Sequence, residues 1–190
     1  MISTRYVVKI PKYVTMYYKP KNQLLLIKGP INKKLILLKL KVSIDTNRNL
    51  IQISDTPFKK LSNFERKNIN CIKGVLLSDI KRSFVEVYKK SYKKLKIVGV
   101  GFRSSQVTNC NNYNLMHFKL GYSHNLYFKI PKDIELIEHN STKLIISGKS
   151  SQKVSQIASL IRKYKTPEPY KGKGILYDSE KITLKEGKKI

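Results

Sequence analysis

The chain has 190 residues, 41% of them apolar, and sets 39 basic against 12 acidic residues for a formal charge of +27. That apolar share supports a real core in one large domain or two small ones, which excludes a chain disordered throughout. The charge excess repels itself unless something anionic screens it, which puts nucleic acid first and an anionic membrane surface second.

No uninterrupted aliphatic run exceeds four residues, as at Leu24, Leu25, Leu26 and Ile27, so no segment reads as a bilayer-spanning helix. The basic residues are scattered along the chain and not gathered on one amphipathic helix, which disfavours a membrane-surface anchor. At the N-terminus, MISTRYVVKIPKYV lacks the apolar stretch of a signal peptide and the long Ser- and Arg-rich stretch of a presequence, so no cleavable targeting segment is expected. KIPKYV at 9–14 then returns as KIPKDI at 129–134. Each copy leads to a short apolar strand reaching a glycine, Gly29 or Gly148, with Pro-to-Gly spacings of 18 and 17 residues. A second element at nearly the same spacing predicts a duplicated unit. The copies then diverge: the first passes through KLILLKLKVSI and NLIQIS before its helix, and the second enters a helix directly.

Ile69, Ile72, Leu76, Ile80, Phe84 and Val87 recur every three or four residues, which predicts a first helix. A break at YKKSYKK separates an N-terminal domain, 1–92, from a C-terminal one, 93–190. In the second, KLKIVGVGFR and YNLMHFKLGY read as strands, SSQVTNCNNYN as a loop or turn. In LYFKI, Leu126, Phe128 and Ile130 alternate with Tyr127 and Lys129 to give one buried and one wet face. Val154, Ile157, Ala158 and Ile161 mark a second helix, with Ser150 or Ser151 as its N-cap. The expected fold class is α+β: two small duplicated domains, each a mostly antiparallel β-sheet packed on one helix.

Catalytic signals are weak. Gly99-x-Gly101 follows a strand, but Ser104 stands where a dinucleotide fingerprint needs its third glycine, and no acidic residue follows at ribose distance. Carboxylates are too few and scattered for acid–base chemistry. Cys71 and Cys110 read as free thiols, and His117, His124 and His139 form no ligand spacing. No cofactor or metal is expected. The glycines instead let the backbone bend or approach a partner closely.

The stretch TPEPYKGKGIL, 166–176, carries the strongest binding signal. Pro167 stops the helix near Lys165. Pro167-Glu168-Pro169 reads as an extended strut, Tyr170 as a ring for stacking on a base or ribose, and Lys171 and Lys173 as phosphate-neutralising charges. Gly172 and Gly174 leave the backbone bare beside them.

RKYKTPEPYKGKGILY resembles the C-terminal signature of the bacterial-type ribosomal protein L-six family. KKLKIVGVGFR, FKLGYSH, KIPKDIEL and LIISGKSSQKVSQIASLIRKYK follow the family's order and spacing from 93 to 189, and 7–29 matches more weakly. The resemblance implies a non-catalytic protein of two duplicated α+β domains. Its partners would be large-subunit ribosomal RNA near the sarcin–ricin loop and the neighbouring proteins at the base of the stalk, with no membrane and no homo-oligomer. RNA contacts carry over to Gly99, Gly101, Arg103, Ser123 and His124, and to Pro167, Glu168, Pro169, Tyr170, Lys171, Gly172, Lys173, Gly174 and Tyr177. Lys93, Lys94, Arg162 and Tyr164 complete the expected RNA-binding set. Two departures stand out: Leu176 replaces a cationic residue, and Asn125 replaces the proline after the histidine. A free ribosome-assembly protein of the same fold is the alternative function, and a nucleotide-dependent enzyme the third. Finally, 33 Lys, 22 Ile and 13 Asn against a single Ala, Ala158, indicate an AT-rich genome. With the resemblance, this points to a mitochondrial ribosome, with a plastid or an AT-rich bacterial cytoplasm as alternatives.

Overall fold

Short alternating apolar stretches fold into strands first. In the computed structural model, which describes residues 6–60, 62–108 and 114–187, six strands precede the first long helix: β1 (Val7–Lys9), β2 (Thr15–Lys19), β3 (Leu24–Lys28), β4 (Lys33–Leu37), β5 (Leu40–Asp45) and β6 (Leu50–Pro57). They pair as two antiparallel sheets, β1-β6-β5 and β2-β3-β4. A one-turn helix α1 (Asn63–Lys67) leads into α2 (Ile69–Tyr88). α2 buries Leu76, Ile80, Phe84 and Val87, with Ile69 and Ile72 at the margin, against Leu25, Ile27 and Ile36 of the second sheet and Ile51 and Ile53 of the first. The stripe is the one the periodicity predicts. Glu86, also buried on α2, is held by Lys34 of β4 at 2.5 Å, which compensates the desolvation of both charges.

The second unit repeats this plan. β7 (Ser91–Val98), β8 (Arg103–Thr108), β9 (Asn114–Lys119), β10 (Leu126–Lys129), β11 (Ile134–Asn140) and β12 (Lys143–Gly148) precede α3 (Ser151–Lys163), and β13 (Gly174–Tyr177) follows. The sheets are β10-β9-β8 and β11-β12-β7-β13, all antiparallel. α3 buries Val154, Ile157, Ala158 and Ile161 against Leu95, Ile97, Leu144, Ile146 and Ile175. Contacts divide the chain into Met1–Lys89 and Lys90–Ile190. No linker separates them in sequence: Lys89 caps α2 with an extended backbone, and β7 starts at Ser91.

The duplication is legible in the pairing. Matching β1–β6 in order to β7–β12 turns β1-β6-β5 into β7-β12-β11 and β2-β3-β4 into β8-β9-β10. In each unit a helix then follows the sixth strand, and β13 is an addition to the second. The KIPK echo, however, marks different joints of this plan. Its first copy links β1 to β2 and its second links β10 to β11. Both joints cross from one sheet to the other, and both are closed by the same bond: the Val14 N–H donates to the Pro11 carbonyl at 3.1 Å and the Ile134 N–H to the Pro131 carbonyl at 3.1 Å. A common local task explains the shared residues, and the different joints explain why the two copies diverge downstream.

Two elements differ from the sequence reading. Ser104 to Thr108, expected in a loop, continue strand β8 opposite β9; Ser104 is buried, and its hydroxyl donates to the Ser141 carbonyl at 3.2 Å. Small polar residues hide the alternation because their burial is supported by hydrogen bonds and not by apolar area. Asn109, Cys110, Asn111, Asn112 and Tyr113 of that expected loop lie outside the described residues, and its last residue, Asn114, opens β9. α1 was missed as well, although Ser62 and Glu65 form a reciprocal capping box.

Candidate nucleic-acid interface

Three segments meet at one end of the second unit. The first is the turn 99–102 between β7 and β8, in which the Phe102 N–H donates to the Gly99 carbonyl at 3.2 Å. Phe102 turns its ring inward. A Cβ at Gly99 would lie 2.6 Å from that ring, and one at Gly121 would lie 2.9 Å from its far edge. The ring therefore fills the space two absent side chains leave, and it joins the first segment to the second, 120–125 between β9 and β10. There Tyr122 stacks on His124 with centroids 5.7 Å apart. The Tyr122 hydroxyl donates to the Tyr164 carbonyl at 2.9 Å, and the Lys165 ammonium lies 4.4 Å from its ring centroid. These contacts bring in the third segment, 164–174, which returns to the first because Gly174 pairs with Val98.

The third segment is not a strut followed by a loose tail. α3 ends at Lys163, Tyr164 caps it, and the chain closes on itself: the Glu168 N–H donates to the Lys173 carbonyl and the Gly172 N–H to the Glu168 carbonyl, both at 2.9 Å. The Ile175 N–H to the Lys165 carbonyl and the Lys185 N–H to the Pro169 carbonyl, again 2.9 Å each, tie down both flanks. Gly174 has φ +147°, and a Cβ there would meet the Pro167 Cα at 2.7 Å. This glycine is dictated by closure of its own loop. Gly101, at φ +73°, meets no heavy atom within 4 Å of a Cβ position among the described residues, so its requirement is conformational and not steric.

Each expected residue can now be located. Arg103, Ser123, His124, Glu168, Pro169, Tyr170 and Lys171 are exposed at this end; Gly99, Pro167, Gly172 and Lys173 are half-buried there. Across the three segments and Arg103, which opens β8 beside the first of them, Glu168 is the one carboxylate, against Arg103, Lys165, Lys171 and Lys173. The remaining five lie elsewhere. The Tyr164 ring packs on Phe118 and Phe128, with centroids 5.8 and 6.3 Å away, and belongs to the margin of the core. Lys93, Lys94, Arg162 and Tyr177 line a separate groove of about 630 Å³ together with Asp178 and Glu180. In it Arg162 reaches Glu180 at 2.5 Å and lies over the Tyr177 ring, so its charge is already compensated. A hydrogen bond from Lys96 holds Asp178 below the usual carboxylate range, with the Lys94 and Lys143 charges adding to it. Leu176, which replaces a cation of the family pattern, is buried on β13 beside Lys96. Sequence reasoning passed over Phe102, Tyr122 and Lys165. Aromatic residues set next to glycines at 101–102 and 121–122 were the available signal.

Two units of one topology with a basic, aromatic, loop-built end make a duplicated α+β protein of strongly cationic type. Comparison with known proteins names the kind. The family model for ribosomal protein L6 matches residues 106–178. The large ribosomal subunit protein uL6 of Mycoplasmoides gallisepticum is 34% identical over 186 residues, covering 96% of this chain and 93% of that protein. The uL6 of Bartonella bacilliformis is 33% identical, covering 96% and 95%. That of Buchnera aphidicola subsp. Acyrthosiphon pisum is 44% identical over 105 residues, 55% of this chain and 57% of its own. The chain belongs to the ribosomal protein L6 family, whose members are structural and not enzymes.

Proposed function

We propose that the chain is a structural constituent of the large ribosomal subunit and binds large-subunit ribosomal RNA through the loop-built end of its second unit, near the sarcin–ricin loop and the base of the stalk. The observation that carries this is the convergence of the three segments. Together with the start of β8 they present Arg103, Lys165, Lys171 and Lys173 around exposed His124 and Tyr170, with a single carboxylate. Cations neutralise phosphates, rings stack on unpaired bases, and a loop fixed before binding loses little entropy when it docks. Lys93, Lys94 and Tyr177 contribute from the neighbouring groove, which the Arg162–Glu180 pair holds in shape, while the Tyr164 carbonyl anchors Tyr122 at the loop-built end. The domain from residue 93 onward thus carries the recognition, and the first, through residue 92, adds diffuse charge. The relatives named above are large-subunit proteins, which supports the assignment, and the AT-rich residue usage supports a mitochondrial ribosome as its location.

Replacing Lys171 and Lys173 together with Glu tests it. The loop is closed by main-chain hydrogen bonds, so thermal unfolding of the variant should match that of the parent chain. Co-sedimentation with large subunits in high salt should fall by about ten-fold or more, since two attractive contacts become repulsive. Undiminished incorporation would reject the interface. Release of the unmodified chain by high salt would instead indicate a free assembly protein.

A further inference from the structure

The first unit carries a surface that RNA binding does not explain. Strand register in β2-β3-β4 sets three rows on the face turned away from the core. Tyr17 lies beside Leu26 and Leu35, Lys19 beside Leu24 and Leu37, and Thr15 beside Lys28 and Lys33. The alternate residues Met16, Tyr18, Leu25, Ile27 and Ile36 pack into the core, so the outer set has no room to turn inward. Tyr17, Leu35 and Leu37 are 55%, 63% and 68% exposed, and Leu24 and Leu26 are half-buried beside them. Five of these nine positions are apolar and contiguous, three are lysine, and none is a carboxylate.

Single exposed apolar side chains are ordinary, but a contiguous set on one sheet face marks a binding surface. The choice of partner follows from the chemistry. RNA would gain from the lysines, yet its riboses and phosphates would lose water against five side chains that offer at most one hydroxyl. A second copy of the chain meeting the same face would set these lysines against their own equivalents, because a two-fold contact is self-complementary. We propose that this face docks a segment of a neighbouring protein in which apolar side chains are flanked by carboxylates. The apolar residues would cover the leucines, and the carboxylates would pair with Lys19, Lys28 and Lys33 at the rim. The proposal stands independently of the RNA assignment, since none of its residues belongs to the loop-built end.

The full-length chain is titrated with two labelled peptides of equal negative charge, one with leucines between glutamates and one with serines in their place, in moderate salt. The leucine peptide should bind about ten-fold more tightly, a difference of about 1.4 kcal/mol. The double variant Leu35→Ser and Leu37→Ser should abolish that difference without altering thermal unfolding, because both side chains are exposed. Lys19→Glu with Lys28→Glu should weaken the leucine peptide alone beyond the loss shared by both. Equal affinity for the two peptides, or a preference that survives the serine variant, would overturn the proposal. So would concentration-dependent dimerisation in sedimentation that the serine variant abolishes. In assembled particles, a photo-reactive side chain at position 35 should crosslink to a carboxylate-flanked apolar protein segment. Crosslinks confined to RNA or to residues 90–190 of the same chain would rule it out.

Discussion

Gly101 and Gly174 share a positive φ but answer to different neighbours. At Gly101 the position of a Cβ is open, so Ala meets only the backbone penalty of a left-handed conformation, about 1–2 kcal/mol, and β-branched Val a larger one. At Gly174 the same atom would also strike the Pro167 backbone at 2.7–2.8 Å. Neither backbone can retreat without breaking the Ile175–Lys165 bond, so Gly174→Ala should cost about 3 kcal/mol or more. Denaturant titration of the two alanine variants should therefore rank Gly174 as the more damaging, and an equal effect would remove the steric argument. Ribosomal RNA affinity should track stability at Gly174, because the substitution opens the loop that carries Lys171 and Lys173.

Several carboxylates join one secondary-structure element to another. Asp133, in the turn before β11, takes a 2.5 Å hydrogen bond from Lys153 on α3, and this bond holds its carboxyl below the ordinary 3.8. Glu135 on β11 is lowered from 4.5 by Lys90, then by the Ser147 hydroxyl. Glu65, in the capping box, is lowered first by the Ser62 N–H. Groups with depressed folded values add stability that is fully present above their unfolded values and is lost as pH falls through the folded ones. The melting temperature should accordingly stay level from neutral pH to about 5 and decline below about 4.5. Asp133→Asn with Glu135→Gln should make that acid decline shallower, whereas an unchanged slope would assign it to other groups. At this scale, legibility followed period. α2 and α3 were readable because an apolar stripe every three or four residues has few other uses. β8 was not, because its buried Ser104 is matched by a hydrogen bond to a carbonyl 37 residues away. α1 was readable in principle, from Ser62 and Glu65 three apart before the first helix.

For the molecule as a whole, charge and recognition separate. Residues 1–92 carry 20 basic and 5 acidic residues, a net of +15, and residues 93–190 carry 19 and 7, a net of +12. Charge alone favours the first half, yet the three converging segments lie in the second. A fragment beginning at Lys90, which keeps β7 whole, should retain most discrimination between the cognate ribosomal RNA and a scrambled one. The first unit alone should bind both weakly, with affinity falling steeply as salt rises. Titration of each fragment against each RNA across a salt series checks this, and equal discrimination by the first unit would reverse the assignment. What the sequence determined by itself was the α+β class, the two long helices and the positive excess that a partner must screen; the KIPK echo pointed to a duplication but marks two different joints, and the match of β1–β6 to β7–β12 is visible only in the strand pairing. Periodicity and net charge are written along the chain and do not depend on its path. Only the tertiary structure decided that Phe102 locks two loops together through the space at Gly99 and Gly121, that Arg162 faces Glu180, and that Tyr164 turns to the core. It alone also aligned five apolar side chains of β2, β3 and β4 on one outer face. Each of these depends on which residues, distant in sequence, are brought within a few ångströms, and strand register and loop closure set that after the pattern has chosen the elements.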